Sequence, residues 1–415
     1  MLPVSSSVES MEMQSDDAAG ASSAYSDRAC SPEETLLRIE PLLQNFGITR
    51  LSRLTTLDSL GIPVWNAVAP NAKSIVINQG KGITDIDAKV SAAMEALERA
   101  VAGRPEVPTN RASWRELAHA GRTVETLNCL VAHGQDDIRP DDQLEWVAGL
   151  NLITGRETLV PFDAVVLDAT ASQARFWQSS DGLASGNTID EANLHAVLER
   201  IERDAYILWQ VMSDAGRIAC GIDPLSLDED VVAQLTERVA RAGLVLRLFD
   251  ITSDIGIPCY SALLAPANIM EIRQPRYLDV THGSGTHPDP VQAVIRAITE
   301  AAQARLTFIS GARDDIHPDT FQRPLSGETR HLLSSAPTKA FTGLEPSARG
   351  APALLAHTLD HLRNAGIASV LSVALTDKTT PFSVVKILAP ELENPEGHRK
   401  RRFGARAISR TLDLL

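Results

Sequence analysis

A predicted helix at 88–102 carries two glutamates inside a surface that is otherwise apolar. At about 100° per residue, Ser91, Glu95, Glu98 and Arg99 share an arc of roughly 100°, and small apolar residues fill nearly all of the rest. A helix with this pattern is packed on most sides, and its narrow polar strip faces a cleft. The chain must therefore fold in a way that keeps carboxylates inside the molecule.

Two further predicted helices repeat this arrangement. The helix at 290–308 places Arg296 and Glu300 in one polar arc, and Ala, Val and Ile cover most of its remaining surface. The helix from about 188 to 210 has a less regular pattern and contributes Glu191, Glu199, Glu202 and Arg203. The helix at 228–242 differs from all three, because it has a single apolar stripe and charges elsewhere, as a surface helix should.

Buried glutamates at this spacing need a cation. Glu95 and Glu98 lie one helical turn apart, so their like charges repel, and burial adds the cost of removing charge from water. Mg²⁺ prefers oxygen ligands and shares its coordination shell with phosphates, and arginines neutralise phosphate oxygens. The carboxylates together with Arg99, Arg203 and Arg296 therefore predict a site for Mg²⁺ and a polyphosphate.

Each of these features also has an ordinary structural explanation. A single Glu–Arg pair at helical spacing is usually a salt bridge. Glu191 lies three residues after Thr188 and would complete a capping box. A lone His195 is more often a packed histidine than a ligand. The presence of three such helices in one chain favours the metal–nucleotide site.

Glycine-rich segments precede the three helices, at 80–82, 179–187 and 281–287. We expect them to be loops whose backbone N–H groups can bind anions. For the third helix, Asp289 and Pro290 fit the N-cap and first helical positions. The chain has neither a Walker A motif nor GxGxxG, so the sequence supports neither a P-loop nor a dinucleotide-binding fold.

Predicted strands and helices follow one another without a strict βαβ repeat, which favours a mixed α/β (α+β) architecture over a doubly wound sheet. The composition of residues 1–30 predicts a disordered tail. Residues 31–405 form one composite domain in this prediction, and 406–415 form a C-terminal tail. A basic run at 399–402 is either solvent-exposed or folds back toward an anionic site.

Composition excludes several classes of protein. A net charge of −14 argues against a nucleic-acid partner, since grooves that follow phosphates are usually basic. The four cysteines are far apart and form no zinc motif. No apolar stretch approaches the ~20 residues of a membrane span, and the N-terminus has no signal-peptide pattern. We therefore expect a cytoplasmic protein.

The motifs on these helices resemble those of the YcaO family. The matching residues are Ser91, Glu95, Glu98 and Arg99, the stretch from Ser180 through Gly186 to Glu191, Glu199-x-x-Glu202-Arg203, and Arg296-x-x-x-Glu300-x-x-Gln303. The upstream segments at 56–58 and 61–65 are similar to the N-terminal region of the family. The resemblance covers roughly residues 45–405, so 31–405 would be the catalytic domain.

This resemblance implies an ATP-dependent enzyme with a family-specific nucleotide fold. Family members phosphorylate a peptide backbone amide oxygen after, or together with, attack by a nucleophile, and loss of phosphate leaves an azoline, a thioamide or an amidine. By position, the resemblance implies that ATP is bound by Lys81, Ser91, Arg99, Ser180, Arg203, Arg296 and Glu300. It implies that Mg²⁺ is bound by Glu95, Glu98, Glu191, Glu199 and Glu202.

The chain departs from the family pattern in ways that affect the expected reaction. The family commonly has Asn where this chain has Asp181, which could still reach a metal or ribose. Azoline-forming members usually end in a proline-rich tail, whereas this chain ends at 410–415 without one, so thioamidation is favoured over azoline formation.

The expected partners follow from the same resemblance. The substrate is a peptide or protein, and no fused peptide-recognition domain is evident, so we expect a separate partner such as a TfuA-like protein. A homodimer is left open. The alternatives are an azoline-forming cyclodehydratase, an accessory factor for methylthiolation of ribosomal protein S12, and a non-catalytic ATP-binding module.

Overall fold

Strands of the described chain form three antiparallel sheets. The computed structural model describes residues 27–171, 174–341, 348–395 and 397–412. Most of the tail predicted at 1–30 lies outside these residues, as do the last three residues of the tail predicted at 406–415. The proposed domain boundaries therefore stay predictions.

The strands are β1 (Arg50–Arg53), β2 (Val64–Val68), β3 (Ile77–Lys81), β4 (Thr109–Ser113), β5 (Gln143–Asn151), β6 (Glu157–Pro161), β7 (Leu183–Gly186), β8 (Gly221–Ile222), β9 (Leu244–Asp250), β10 (Cys259–Pro266), β11 (Thr281–Thr286), β12 (Leu371–Ala374) and β13 (Ser383–Leu388). The helices are α1 (Pro32–Ile39), α2 (Asp85–Gly103), α3 (Trp114–His119), α4 (Ile189–Gln210), α5 (Asp214–Ile218), α6 (Asp230–Arg241), α7 (Pro290–Ser310), α8 (Gly327–Ser334), α9 (Ala351–Asn364) and α10 (Ala405–Leu412).

The strand order explains why no βαβ repeat is visible in the sequence. The sheets are ordered β1-β2-β3, β11-β10-β9-β8 and β4-β5-β12-β13-β7, and β6 also pairs with β5. All ladders between these strands are antiparallel. The prediction of a mixed α/β fold without a doubly wound sheet is confirmed.

Each of the three helices that carry the predicted site packs directly on glycine in a strand. A Cβ built on Gly80 of β3 would lie 2.0 Å from the backbone nitrogen of Ala92 in α2. A Cβ on Gly186 of β7 would lie 2.6 Å from Glu191 Cβ in α4, and one on Gly283 of β11 would lie 2.2 Å from a backbone nitrogen of α7. Glycine is needed here because the helix backbone touches the strand backbone.

These contacts correct the prediction that the glycine-rich segments are anion-binding loops. Gly80, Gly186 and Gly283 lie in regular strands, and their missing side chains allow close packing. The prediction failed because glycine is typical both of loops and of strands that a second backbone approaches closely.

The ends of α2, α4 and α7 agree with the predicted helices to within three residues. Each helix begins after a side chain that accepts a hydrogen bond from its first turn: Thr84 from Asp87 N (3.3 Å), Thr188 from Glu191 N (3.2 Å) and Asp289 from Val291 N (2.9 Å). The predicted N-cap at Asp289, with Pro290 as the first helical residue, is confirmed.

Separate hydrophobic clusters hold the three helices in place. Leu97 of α2 belongs to a cluster on the six-stranded sheet, Ile298 of α7 to a cluster with the four-stranded sheet, and Leu198 of α4 to a cluster with α9. Their apolar sides are thereby buried in different directions. The polar edges of the helices are left facing one another.

The residues that the structure describes include no helix with the length and apolar character of a membrane span.

Candidate active site

A cleft of about 650 Å³ lies between the polar edges of α2, α4 and α7. All twelve residues that the sequence predicted for ATP or Mg²⁺ line this cleft: Lys81, Ser91, Glu95, Glu98, Arg99, Ser180, Glu191, Glu199, Glu202, Arg203, Arg296 and Glu300. The three helices therefore meet as their sequence patterns require.

Arg203 lies among the carboxylates of the cleft. Its guanidinium is 3.1 Å from Glu202, 3.3 Å from Glu199 and 3.4 Å from Asp181. Burial acts to lower the pKa of Arg203, but Glu202 and Glu199 outweigh it and the net shift is upward. This arginine therefore serves as the cation for several acids at once.

Two other cleft cations are also paired with acids. Lys81 Nζ donates to Glu300 at 2.5 Å, which links β3 to α7. Arg99 donates to Glu95 at 3.2 Å and to Ser180 Oγ at 3.3 Å, which links α2 to the segment before β7. These pairs hold the polar edges of separate elements together.

Burial and the negative charge of neighbouring carboxylates disfavour the ionised form of two cleft glutamates. Burial, followed by repulsion from Glu95, raises the pKa of Glu98 well above its ordinary value. Burial also raises the pKa of Glu202 to about 7, against the opposing effect of Arg203. Burial opposes ionisation of Glu300 too, but Lys81 and Arg203 hold the pKa of that carboxyl below its ordinary value. Additional positive charge in this cleft would stabilise the ionised acids.

The carboxylates are not already arranged around one metal position. Within the described ranges, no group of three or more His, Cys, Asp or Glu side chains could hold a metal ion as placed. Glu199 and Glu202 instead bond to Arg203, and Glu95 bonds to Arg99.

The donor chemistry nevertheless fits Mg²⁺. The available ligands are carboxylate oxygens, and burial is the first cause of the raised pKa values of Glu98, Glu199 and Glu202, so a bound cation would favour their ionised forms. A bound Mg²⁺ would replace the arginines as the partner of these carboxylates. The freed arginines could then bind phosphate oxygens.

Glu191 has a different environment from the other predicted metal ligands. It is 1% exposed, and its carboxylate accepts hydrogen bonds from the backbone N–H of Asn187 (2.7 Å) and of Ala29. The Thr188 side chain caps the helix, but the reciprocal bond of a capping box is missing. The Glu191 carboxylate accepts the backbone N–H of Asn187, whereas a capping box would use the backbone N–H of Thr188. A role in metal binding would require these contacts to be released.

Residues 27–30, which the composition assigned to a disordered tail, contribute to the cleft wall. Asp27 lies 3.3 Å from His287 Nε2 and accepts a hydrogen bond from Gln292 at 2.9 Å. The bond to His287 is the main reason that the pKa of Asp27 falls to about 2. Arg28, from the same segment, lies 3.9 Å from Glu191 and lines the cleft. These contacts could not be predicted, because the polar composition of the segment is typical of a disordered tail.

One face of β11 was also missed. His282, Ser284 and Thr286 line the cleft, while Gly283 and Gly285 face α7. The alternation of polar residues with glycine is the period of a strand, and it could have revealed both faces. Burial lowers the pKa of His282 to about 4, so its ring is neutral at physiological pH.

The C-terminal basic run does not reach the cleft. Arg399 is buried against the ring of Trp177, 4.5 Å from its centroid, and Lys400 and Arg401 pair with Asp137. The run is therefore neither wholly solvated nor folded onto the carboxylates, and both explanations offered by the sequence were incomplete.

Known proteins resemble this chain over most of its length. The profile of the family described as YcaO cyclodehydratase, ATP- and Mg²⁺-binding, matches residues 79–393. A protein of Rhizobium leguminosarum bv. trifolii, described as an uncharacterized protein in the tfuA 3′ region, is 38% identical over 93% of both chains.

Solved structures share the fold at lower identity. YcaO from Methanopyrus kandleri, bound with AMPPCP and Mg²⁺, matches with a TM-score of 0.69 at 23% identity, over 91% of this chain and 97% of that one. A heterocyclase in complex with substrate and cofactor matches with a TM-score of 0.70 at 22% identity, over 89% of this chain and 54% of that one.

Proposed function

Because this chain belongs to the YcaO family of ATP- and Mg²⁺-dependent peptide-modifying enzymes, we propose that it activates a peptide backbone amide by O-phosphorylation and converts it to a thioamide. In this reaction a hydrosulfide-type donor adds to the carbonyl carbon before, or together with, transfer of the γ-phosphoryl group of ATP to the amide oxygen. The C–O bond then breaks as phosphate leaves, and the sulfur loses its proton to give the thioamide. The convergence of acidic edges from α2, α4 and α7 on one cleft carries the proposal.

The acidic residues are proposed to hold Mg²⁺. Glu95 and Glu98 project from α2, and Glu199 and Glu202 from α4, so ligands from two helices face the same space. Glu191 would join them if its contacts with the N-terminal segment opened. Mg²⁺ in this position would neutralise charge that develops on the transferred phosphoryl group.

The basic residues are proposed to hold the triphosphate. Arg99 and Arg203 now bond to carboxylates that are proposed to hold Mg²⁺, so metal binding would free both arginines toward phosphate oxygens. Lys81 bonds to Glu300, which is proposed to contact ATP and is not among the metal ligands. Arg296 faces the cleft, and burial lowers its pKa to about 10, so a nearby anion would stabilise its charge. Ser91 and Ser180 supply hydroxyl groups at the cleft wall.

Thioamide formation is favoured over azoline formation by one observation. The Rhizobium relative is described by its position in a tfuA region. We therefore propose a TfuA-like protein as the partner that delivers the peptide.

The experiment measures Mg²⁺-dependent ATP turnover by the purified chain with a TfuA-like protein from the same organism. Glu95→Gln should abolish turnover without lowering the melting temperature, since the change removes a cleft charge and keeps the shape. Glu237→Gln on α6, an exposed acid in a surface pair, is the matched control and should leave turnover unchanged. Full turnover in Glu95→Gln would contradict the site assignment.

Mass spectrometry of the modified peptide identifies the product. Thioamidation exchanges one oxygen for sulfur, whereas azoline formation removes one water from a Cys, Ser or Thr residue. Loss of water would replace the thioamide proposal with the cyclodehydratase alternative, and absence of any ATP turnover would favour the non-catalytic module.

A further inference from the structure

Asp181 occupies a position behind the cleft, in the family position that commonly holds Asn. Its side chain is 13% exposed and lines a small cavity with Lys386 and Arg200, outside the wall of the ATP cleft. Its carboxylate accepts a hydrogen bond from Ser179 Oγ and lies 3.4 Å from Arg203 Nε. The expectation that Asp181 could reach metal or ribose directly does not agree with this placement.

The backbone around Asp181 is held from three sides. Lys386 Nζ of β13 donates to the carbonyl oxygens of Ser179 (2.6 Å) and Asp181 (2.7 Å). Gly182 N–H donates to Glu199 Oε2 on α4 at 3.0 Å. Gly182 also has φ +72°, and a Cβ there would lie 2.3 Å from the carbonyl oxygen of Ile387. Asp181 therefore has a fixed position relative to α4.

Buried cations lie on the far side of this carboxylate. Lys386 is 5% exposed and Arg200 is 3% exposed. Arg200 Nη2 donates to the carbonyl oxygen of Glu393 at 2.7 Å, and within the described chain its Nη1 is buried with no hydrogen-bond partner. Their positive charge favours the ionised form of Asp181, whose carboxyl pKa lies below its ordinary value because Arg203 and Arg200 outweigh the effect of burial.

The carboxylates around Arg203 differ in what they face. Glu199 and Glu202 line the cleft, so each must weaken its bond to Arg203 when it takes up a metal. Asp181 faces away from the cleft, so it can keep its ion pair with Arg203 when a metal binds there. Arg203 would then keep one ion pair while losing two.

We propose that Asp181 is a positioning residue that holds Arg203 while Glu199 and Glu202 pass to Mg²⁺. The proposal rests on the proposed function, since it concerns the same cleft. Without this carboxylate, Arg203 would remain bonded to Glu199 and Glu202 and would compete with Mg²⁺ for them.

The test is Asp181→Asn, which keeps the shape and can still accept a hydrogen bond from Ser179. Isothermal titration follows binding of AMPPCP at a series of Mg²⁺ concentrations. The Mg²⁺ concentration for half-maximal binding should rise about five- to tenfold, as expected for loss of one partly buried charge-assisted contact. At saturating Mg²⁺, the affinity for AMPPCP should stay within about twofold of the wild type.

Asp136→Asn is the matched control, because it removes the same charge from an exposed surface pair. Equal Mg²⁺ requirements in the two variants would overturn the role of Asp181, and so would an Asp181→Asn defect that is the same at every Mg²⁺ concentration. Melting of the metal-free variants confirms that both are folded. Failure of the wild type to bind AMPPCP with Mg²⁺ would instead overturn the proposed function.

Discussion

At the scale of single residues, ionisation of the buried Glu202 lowers the folding stability of the metal-free protein. Its side chain is 11% exposed, and burial raises its pKa to about 7 from an ordinary 4.5. The folded protein thus favours the protonated form. As the pH rises from about 4.5 to 7, the metal-free protein should lose up to ~3 kcal/mol of stability, and the loss is complete above the folded pKa.

Glu202→Gln should therefore stabilise the metal-free protein while abolishing ATP turnover. The melting temperature should rise by about 2–4 °C at pH 8, and the difference should shrink toward pH 5, where the wild-type carboxyl is already protonated. Scanning fluorimetry at the two pH values measures the effect. An equal shift at both would indicate a packing effect, and Glu237→Gln should show no shift at either pH.

Asp27 gives a prediction with the opposite pH sign. Its pKa falls to about 2, chiefly through its bond to His287, so the contact contributes stability above the ordinary value of 3.8 and loses it as the pH falls from there toward 2. At neutral pH, Asp27→Asn should increase hydrogen exchange in the peptide around residues 27–31 by about fivefold or more, because a charge-assisted bond is lost. Unchanged exchange would contradict a stabilising role for this contact.

At the scale of elements, the contact between β11 and α7 depends on the absence of side chains. Gly283→Ala would place a Cβ 2.2 Å from the backbone nitrogen of Ala301, so strand and helix would have to separate. We expect a loss of about 3 kcal/mol or more in chemical denaturation, at the upper end of overpacking effects.

Gly327→Ala is the matched control for that change. This glycine is the first residue of α8, and a Cβ there would meet nothing within 4 Å. The substitution should be neutral or stabilise by up to about 1 kcal/mol, because alanine reduces the freedom of the unfolded chain. Similar losses in both variants would show that close packing at Gly283 is not the cause.

Elements with strong periodicity could be predicted from the sequence, and those governed by tertiary contact could not. The pattern of α7 gave the helix and its cleft-facing edge, because side-chain direction follows from the helical period. By contrast, the segments that form β7 and β11 were assigned to loops. Their glycines carry no local preference for strands, since their role exists only once a helix lies against them.

The candidate site shows the same limit. Glu95 and Glu300 could be placed in one cleft because each stands out on a largely apolar helix, and Glu202 belongs to the less regular acidic pattern of the third helix. The pairing of Arg203 with Asp181 could not be foreseen, because the fold brings the 179–182 segment to α4 through Lys386 on a distant strand.

At the scale of the whole molecule, the C-terminal helix is joined to the site helix by buried charge. Arg406 of α10 donates two hydrogen bonds of 2.9 Å to Asp204, which is 0% exposed and follows Arg203 on α4. Glu393 accepts the backbone N–H groups of Gly404 and Ala407 and fixes the start of α10. The end of the described chain thus supports α4 from the side opposite the cleft.

Arg406→Ala should destabilise the protein by about 3–5 kcal/mol, because it leaves the buried Asp204 without its cationic partner. Arg410→Ala on the same helix is the matched control, since Arg410 contacts only the sulfur of Met212 among the bonds described. Chemical denaturation should separate the two variants clearly. Equal stability of both would show that the Asp204 pair contributes nothing net.

The pairing of β13 with β7 has a consequence for how the protein is made. Ser383 pairs with Gly186, and Lys386 holds the Ser179–Asp181 backbone, so chain synthesised late completes a region synthesised much earlier. On the ribosome, the sheet that contains β7 and the contacts that hold residues 179–181 cannot be completed until β13 has been translated. Until then β7 has no partner strand in its sheet, and unpaired strand edges favour aggregation.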